Sequence, residues 1–346
     1  MPHRVTIQQI AQELGLSRNT VSKALNNTGV LAPATQKRII DKAIELGYKQ
    51  FAENLATLPE PQTNAEKEVA LFTYSMPTGS HFGSRMLTGF ERVISQYGYR
   101  LVIYAIKDNN LRDQTLPMNF NSSSTLALIC VEMFDAQYNK MVCGLNYPTL
   151  FVDTSPLGDF IAPNADLLMM ENQNSVYQMV NTLITRGKTS FGFIGEILHC
   201  RSFYERWVGC CNAVYDAGLP HPAPFSVIEA DREPYRDPIW LSQKIRALRT
   251  IPEVFVCAND FLAIAAVRAL KVLKKKVPDD ICVCGFDDTP EAGLIDPPLT
   301  SVHIQAEGMG EIAAELLLSR IKNAALPNRT MYVQTKPVYR ASASAK

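Results

Sequence analysis

From Val69 onward, short apolar runs alternate with segments of helical periodicity. The runs are rich in β-branched residues: VALFTY, YRLVIYAI, LALICV and TLFVD come first, and FGFIG, FSVIEA, VFVCA and ICVCGF follow. Helical segments such as MLTGFERVISQYG and FLAIAAVRALKVLKKK separate them. Strands that are apolar throughout are covered on both faces. The alternation therefore predicts an α/β fold of doubly wound parallel sheets with helices on both sides.

The start of the chain has a different pattern, that of three short helices. Thr6 with Gln9 three residues later forms a capping box, and apolar residues then recur at helical spacing up to Gly15. Ser17 is placed to cap a second helix, and Pro33 suits the first position of a third. Two short helices joined by a tight glycine turn predict a helix-turn-helix.

The outward face of the second helix carries the residue types that read DNA. The N-terminal residues of a recognition helix meet base edges in the major groove, where Arg and Asn make bidentate contacts. Arg18 and Asn19 occupy those places. Short polar side chains and a lysine nearby suit phosphate oxygens, which fix register rather than sequence. The alternative is an ordinary helical hairpin with a solvated polar face. The DNA-binding residues predicted from this pattern are Thr6, Ser17, Arg18, Asn19, Thr20, Ser22, Lys23 and Asn26.

Charge and cysteine content narrow the class of protein. Residues 1–58 carry seven Lys+Arg against four Asp+Glu, a balance of +3, and the remainder carries 27 against 30, a balance of −3. A basic head on a slightly acidic body fits nucleic-acid contact by the head alone. The eight cysteines are scattered among apolar runs, and no His pair stands at zinc spacing, so we expect reduced thiols and no metal site. No signal peptide or membrane-spanning run is present, which predicts a cytoplasmic protein without membrane contact.

The head resembles the DNA-binding headpiece of the lactose/galactose repressor family of bacterial transcription regulators. The resemblance rests on VTIQQIA, on the turn and recognition helix GLSRNTVSKALN, and on the closing ELGY. It continues in the body through RGKTSFGFIG, ERWVGCCNAVYDAG, VFVCANDFLAIAAVRALK, VPDDICVCGFDDTPEAGLIDPPLTSV and MGEIAAELLLSRI. The resemblance implies that the body has the fold of sugar-binding periplasmic proteins. Two α/β subdomains joined by three crossovers would hold a small molecule between them.

The chain departs from this family between the head and the body. Ala32 stands where relatives cap the third helix with Ser, and Gln50-Phe51 replaces the usual Pro-Asn pair. The following run, through Leu58, lacks the arginine of the family's hinge helix and contains Glu53, which phosphates would repel. We therefore expect this protein to bend its operator less than its relatives do. In the alternative, Leu55 or Leu58 still inserts into the minor groove in a shifted register, so Leu55 joins the predicted DNA contacts.

Polar residues follow several predicted strands of the body, at the edge where doubly wound sheets bind ligands. Arg206, Asn259 and Asp287 supply the donors and acceptors that sugar hydroxyls need, and the family uses these positions for its effector. Taken singly, a surface salt bridge would explain Arg206, and a cap or turn would explain the other two. On the other subdomain we place Tyr74, Ser75, Phe82 and Asp153 in the cleft, although Phe82 and Tyr74 also suit the core. Trp207 either lines the cleft or packs inside.

These observations predict a ligand-responsive transcription regulator, more specifically a repressor. It would bind a palindromic double-stranded operator as a homodimer and respond to a small-molecule effector, a carbohydrate or its derivative. The expected domains are a helix-turn-helix domain with an atypical hinge (1–58), a linker (59–67) and an effector-binding and dimerisation domain (68–346). No catalytic motif is found, so we expect neither an enzyme nor a cofactor. The alternative is a sugar-binding receptor of the periplasmic type without direct gene control, but that class requires a signal peptide and no headpiece.

Overall fold

The computed structural model describes residues 5–25, 33–46, 48, 67–74, 81–156, 165–230 and 233–344. The chain divides into two compact units, Met1–Ala65 and Glu66–Lys346. The division falls inside the predicted linker. Ala32, the hinge with Leu55 and Leu58, Asn26 and Ser75 lie outside the described residues.

The first unit is built from three helices, α1 (Ile7–Leu14), α2 (Arg18–Leu25) and α3 (Pro33–Glu45). The capping box predicted at Thr6 is present: the Gln9 amide donates to Thr6 Oγ1 (3.4 Å), and the Thr6 amide donates to Gln9 Oε1 (2.9 Å). Gly15 ends α1 with a left-handed φ of 64°, which costs glycine no strain. The three helices share an apolar core of Ile10, Ala11, Val21, Ala24, Ile39 and Ala43.

The second unit begins with a six-stranded parallel sheet in the order β10-β5-β4-β3-β1-β2. Its strands are β1 (Glu68–Thr73), β2 (Arg100–Ala105), β3 (Thr125–Val131), β4 (Thr149–Val152), β5 (Ala165–Met170) and, from far along the chain, β10 (Thr330–Val333). Helices α4 (His81–Gln96), α5 (Asp108–Asp113), α6 (Ala136–Cys143) and α12 (Ala306–Lys322) accompany this sheet. Strands β1, β4 and β5 are buried at every position. The apolar runs VALFTY and TLFVD predict this for β1 and β4, whereas β5, which contains the buried Asp166, is not among the predicted strands.

A second, smaller sheet has the order β6-β7-β8, all parallel. Its strands are β6 (Phe191–Ile194), β7 (Val254–Cys257) and β8 (Cys282–Cys284); next to it, β9 (Ser301–His303) pairs antiparallel with β11 (Lys336–Val338). Its helices are α7 (Gln173–Thr185), α8 (Arg201–Asp216), α9 (Pro238–Ala247), α10 (Asp260–Val272) and α11 (Pro290–Leu294). The run FSVIEA, which we predicted as a strand, makes only a single bridge from Val227 to Ile194. The next backbone donor, the Phe193 amide, donates to the Ser226 hydroxyl (2.8 Å). This bond replaces one of the backbone hydrogen bonds that would pair two strands.

The chain passes between these two subdomains three times, at residues 170–173, 303–306 and 333–336. The three crossovers and the two parallel sheets confirm the fold class expected from the sequence. All eight cysteines are free thiols, and seven are buried. Within the described residues, no group of His, Cys, Asp and Glu is arranged to hold a metal ion. No helix in that part of the chain is long and apolar enough to cross a membrane.

Candidate functional site

The predicted recognition helix presents its polar residues to solvent. Arg18, Asn19 and Lys23 are exposed on α2, whereas Val21 and Ala24 are buried. All three polar side chains are therefore available to a partner in the major groove. Arg18 and Asn19 carry groups that can form paired hydrogen bonds with base edges.

Two of the predicted phosphate contacts also have a structural role. Ser17 Oγ accepts the Thr20 amide (3.0 Å) and lies 2.7 Å from the Thr20 hydroxyl, so Ser17 caps α2 as the sequence indicates. Thr6 caps α1 and is exposed, and Ser22 is half-buried. Asn26 and Leu55 lie outside the described residues, so their predicted contacts stay predictions.

The second candidate site is a cleft between the two subdomains, with a cavity volume of about 440 Å³. It lies at the carboxyl ends of the strands, where the rule for doubly wound sheets places ligands. Six of the eight residues predicted to bind an effector line this cavity: Tyr74, Phe82, Asp153, Arg206, Asn259 and Asp287. Ser75 lies outside the described residues.

Arg206 is a buried side chain of the cleft that several contacts hold in place. It is only 3% exposed; its Nε donates to Asn172 Oδ1 (2.9 Å) and its Nη1 to the Ala258 carbonyl (2.6 Å). Its guanidinium also stacks 3.6 Å from the centroid of the Phe286 ring. The interpretation as a surface salt bridge is therefore wrong. Arg206 is a buried, oriented fork at the wall of the cavity.

Asn259 and Asp287 complete this wall. Asn259 Oδ1 accepts the Leu262 amide (3.0 Å) and caps α10, so the capping role and the cleft position hold together. The Asp287 carboxylate lies 3.6 Å from Arg206 Nη1. Arg206 and Asp287 thus place a guanidinium and a carboxyl group beside the same ligand space.

The opposite wall comes from the first subdomain. Tyr74 is half-exposed and donates its hydroxyl to Asp108. Phe82 is partly buried and packs against the apolar core while it lines the cavity. Asp153 Oδ1 accepts the Thr154 amide (2.8 Å) and the Ser202 amide (3.2 Å). Because Ser202 belongs to α8 of the second subdomain, Asp153 joins the two walls.

Trp207 is not part of the cavity wall. It is 9% exposed and packs edge-on against Phe193 (5.5 Å between ring centroids) and against His221 (5.6 Å). Successive helical residues point about 100° apart, so the neighbour of an inward-facing Arg206 turns into the core. The prediction that Trp207 lines the cleft is wrong, and the packing alternative is right.

The cavity has further wall residues that the sequence did not indicate: Glu132, Phe134, His199, Cys200, Ser202, Phe203, Arg236 and Phe261. A signal was available for Glu132 because it directly follows β3, as Asp153 follows β4. The remaining residues come from helix starts and irregular segments, where no strand end marks them. Chain order alone did not indicate that they face the cleft.

Three carboxyl groups in the cavity have shifted acidities. Burial raises the pKa of Asp287 to about 7, and this rise is opposed by nearby Arg206. Burial also raises the pKa of Glu132, and the charge of Asp153 raises it further. The pKa of Asp153 is raised by burial as well, although hydrogen bonds from Thr154 and Ser202 favour its charged form. The cleft therefore disfavours its own negative charges, and hydrogen-bond donors of a ligand would stabilise them.

Comparison with known proteins finds similar transcriptional regulators and a matching domain profile. The profile of the periplasmic binding protein-like domain matches residues 180–343. The chain is 26% identical over 341 residues to the HTH-type transcriptional repressor PurR of Aliivibrio salmonicida, with 97% of this chain and 98% of the relative covered.

Solved structures share the fold over the whole length. The complex of the transcriptional regulator CelR with cellobiose superposes with a TM-score of 0.71 at 21% identity, covering 98% of this chain and all of that one. The lac repressor dimer bound to operator and the anti-inducer ONPF gives a TM-score of 0.68 at 21% identity, with 99% and 100% covered. Over 97% of its length, this chain is therefore similar to DNA-binding transcriptional regulators of the lactose/galactose repressor family, whose effector domain is periplasmic-binding-protein-like.

Proposed function

We propose that this regulator represses transcription as a homodimer on a near-palindromic operator, and that a carbohydrate bound in the cleft changes its affinity for that operator. One observation carries the proposal. Side chains predicted as effector ligands from separate stretches of sequence line a single cavity of about 440 Å³ between the subdomains. That volume lies within the range of roughly 300 to 1,000 Å³ found for small-molecule sites.

The lining of the cavity supports a carbohydrate or its derivative. Phe82, Phe134 and Phe203 offer aromatic surfaces for the apolar faces of a sugar ring. Arg206 and Asp287 offer a donor fork and an acceptor for vicinal hydroxyls. The similar regulator CelR, whose structure contains cellobiose, is consistent with this class of ligand.

The exposed face of α2 supports sequence-specific operator binding. Arg18 and Asn19 are exposed at its start. One such helix buries little surface, and repressors with this motif read two half-sites with a two-fold dimer. The similar lac repressor is a dimer on its operator.

A thermal-shift screen with sugars, sugar phosphates and nucleosides tests the effector class. A ligand at about 100 times its Kd should add roughly 2.7 kcal/mol to the free energy of unfolding. Any stabilising compound is then added to a complex of the protein with DNA selected from a random pool. A change in DNA affinity on addition of a sugar supports the proposal. If nucleosides alone stabilise the protein, the carbohydrate class is wrong; if a sugar binds without changing DNA affinity, the regulatory role of the cleft is wrong.

A further inference from the structure

Asn172 occupies an unusual place, fully buried in the first crossover between the subdomains. It is the residue before α7, where an Asn side chain ordinarily caps the helix. Here its side chain makes no capping bond. Glu171 does so instead, because its carboxylate accepts the amides of Asn174 (2.5 Å) and Ser175 (2.9 Å). The Asn172 amide is therefore free for another role.

The partners of Asn172 determine which way its amide faces. Its Oδ1 accepts from Arg206 Nε at 2.9 Å, and an arginine has only donors to offer. Its Nδ2 donates to the Met170 carbonyl (2.8 Å) and to Glu205 Oε2 (3.0 Å), which are acceptors. With the amide reversed, its NH₂ group would face the Arg206 donor and its oxygen would face the Met170 and Glu205 acceptors. Asn172 therefore holds Arg206 in one orientation toward the cleft.

Glu205 connects this network to Tyr332, which lies beside the third crossover. Its Oε1 accepts from the Tyr332 hydroxyl (2.6 Å) and from Arg201 Nε (2.8 Å). Tyr332 lies in β10, one residue before the strand ends at the third crossover, and its oxygen accepts from Arg201 Nη2 (2.9 Å). Burial and the bond to Glu205 raise the pKa of Tyr332 to about 12, so the hydroxyl remains a donor at neutral pH.

We infer that Asn172, Glu205 and Tyr332 are positioning residues that set effector affinity without touching the effector, by orienting Arg206 from two of the three crossovers. The inference rests on the proposed function of the cleft. A ligand that displaces the Arg206 side chain also displaces its hydrogen-bond partners. Through this network the displacement reaches residues where the two subdomains join. Altering the network therefore changes effector affinity while the recognition helix keeps its affinity for DNA.

The first test removes single hydroxyl groups. Tyr332→Phe deletes only the oxygen that bridges Glu205 and Arg201, and we expect it to weaken effector binding about threefold to tenfold, the size of one hydrogen bond. Tyr177→Phe is the matched control, because its hydroxyl likewise bonds to a carboxylate of α8, that of Asp216 (3.0 Å), and makes no bond to Glu205. Calorimetry with cellobiose, D-galactose, glucose 6-phosphate and adenosine identifies the probe that binds the parent. Equal affinity of that probe for both variants would overturn the inference.

The second test exchanges the partners. Asn172→Asp sets a carboxylate against Glu205, and Glu205→Gln sets an amide donor against the Asn172 amide. Each single variant should bind the probe about tenfold more weakly. The double variant pairs an amide donor with a carboxylate and should recover part of the affinity, because the Met170 carbonyl still faces the new carboxylate. Simple addition of the two losses would contradict the inference, since a merely structural role predicts no recovery. Operator affinity and melting temperature, measured on all variants, separate loss of the fold from loss of positioning.

A readout without effector covers the case in which none of the four probes binds. In the full-length protein labelled with ¹⁵N-arginine, the Nε–H signal of Arg206, identified by its absence in Arg206→Lys, should exchange slowly with solvent. The exchange should accelerate in Asn172→Asp and slow again in the double variant. Unchanged exchange in Asn172→Asp would refute the positioning role. Failure of all probes would bear on the proposed carbohydrate effector alone.

Discussion

Three carboxylate residues of the cleft have backbones in the left-handed region, with φ of 55° for Glu132, 61° for Asp153 and 108° for Asp287. Such conformations cost on the order of 1 to 3 kcal/mol each and persist where surrounding structure imposes them. Each of the three follows a buried strand of a parallel sheet, and the turn aims its side chain into the cavity. Strain here accompanies the placement of acidic groups in the wall of the cleft.

The raised pKa of Asp287 predicts a pH dependence of stability. Its folded pKa is about 7, above the ordinary value of 3.8. Between pH 4 and 7 the folded state keeps a proton that the unfolded chain releases, so the free energy of unfolding falls as pH rises, by up to about 1.4 kcal/mol per unit. Asp287→Asn removes this contribution. Urea unfolding measures the free energy of unfolding, which should fall more between pH 5 and pH 8 in the parent than in the variant. An equal fall in both proteins would mean that Asp287 titrates normally.

Arg18 and Asn19 carry the prediction for sequence reading. Replacing either with Ala should cost about 1 to 3 kcal/mol of operator affinity and relax the preference at one or two bases of each half-site. Selection from random DNA, followed by sequencing of bound sites, measures the preference. Gln12→Ala, at an exposed position of α1, is the control and should retain the parental site. If both variants selected the parental sequence, their assignment to base edges would be wrong.

Helices α4 and α12 pack closely against each other, and glycines make this possible. A Cβ added at Gly310 of α12 would stand 1.9 Å from the Met86 carbonyl oxygen, and one at Gly89 of α4 would stand 2.1 Å from that of Glu307. Arg92 on α4 adds an ion pair to Glu307 at 2.8 Å. The contact ties a helix near the end of the chain to the first subdomain.

Two glycines of α12 allow a matched test of this packing. Gly310→Ala forces the helices apart, and overpacking of this kind costs about 1 to 3 kcal/mol. At Gly308 the nearest atom, Gln305 Oε1, is 4.0 Å from an added Cβ. Gly308→Ala should therefore be neutral or stabilise by up to about 1 kcal/mol, through helix propensity alone. Thermal unfolding of both variants measures the difference, and equal melting temperatures would show that the helices separate without cost.

At the scale of the whole molecule, the predicted recognition helix and the cleft belong to different compact units of the chain. Regulation then requires a coupling free energy between two separate sites, and that coupling is reciprocal. The proteins to which this chain is similar include transcriptional regulators, in agreement with the lack of catalytic motifs in its sequence.

Arg206→Ala should separate the two activities. It removes the donor fork from the cleft, so effector binding and the effector's influence on DNA should be lost, while DNA affinity without effector stays near the parental value. Titration calorimetry and fluorescence anisotropy measure the two affinities. Arg268→Ala, which removes an exposed arginine of α10, is the control. Undiminished effector affinity in Arg206→Ala would place the ligand elsewhere, and circular dichroism verifies that the variant folds.

The sequence by itself determined the helix-turn-helix, the parallel sheets and the strand-end residues Asp153, Asn259 and Asp287. Helix caps, apolar periodicity and the ends of strands are local patterns. Because the carboxyl ends of parallel strands lie at one edge of the sheet, residues that follow different strands are expected to lie together. The same rule would have included Glu132. Only the tertiary structure decided that Trp207 packs inward and that Asn172 holds Arg206. Those outcomes depend on contacts between residues far apart in the chain; Asn172 and Arg206, for example, are 34 positions apart. The periodicity of a local stretch does not indicate which distant side chain completes a hydrogen bond.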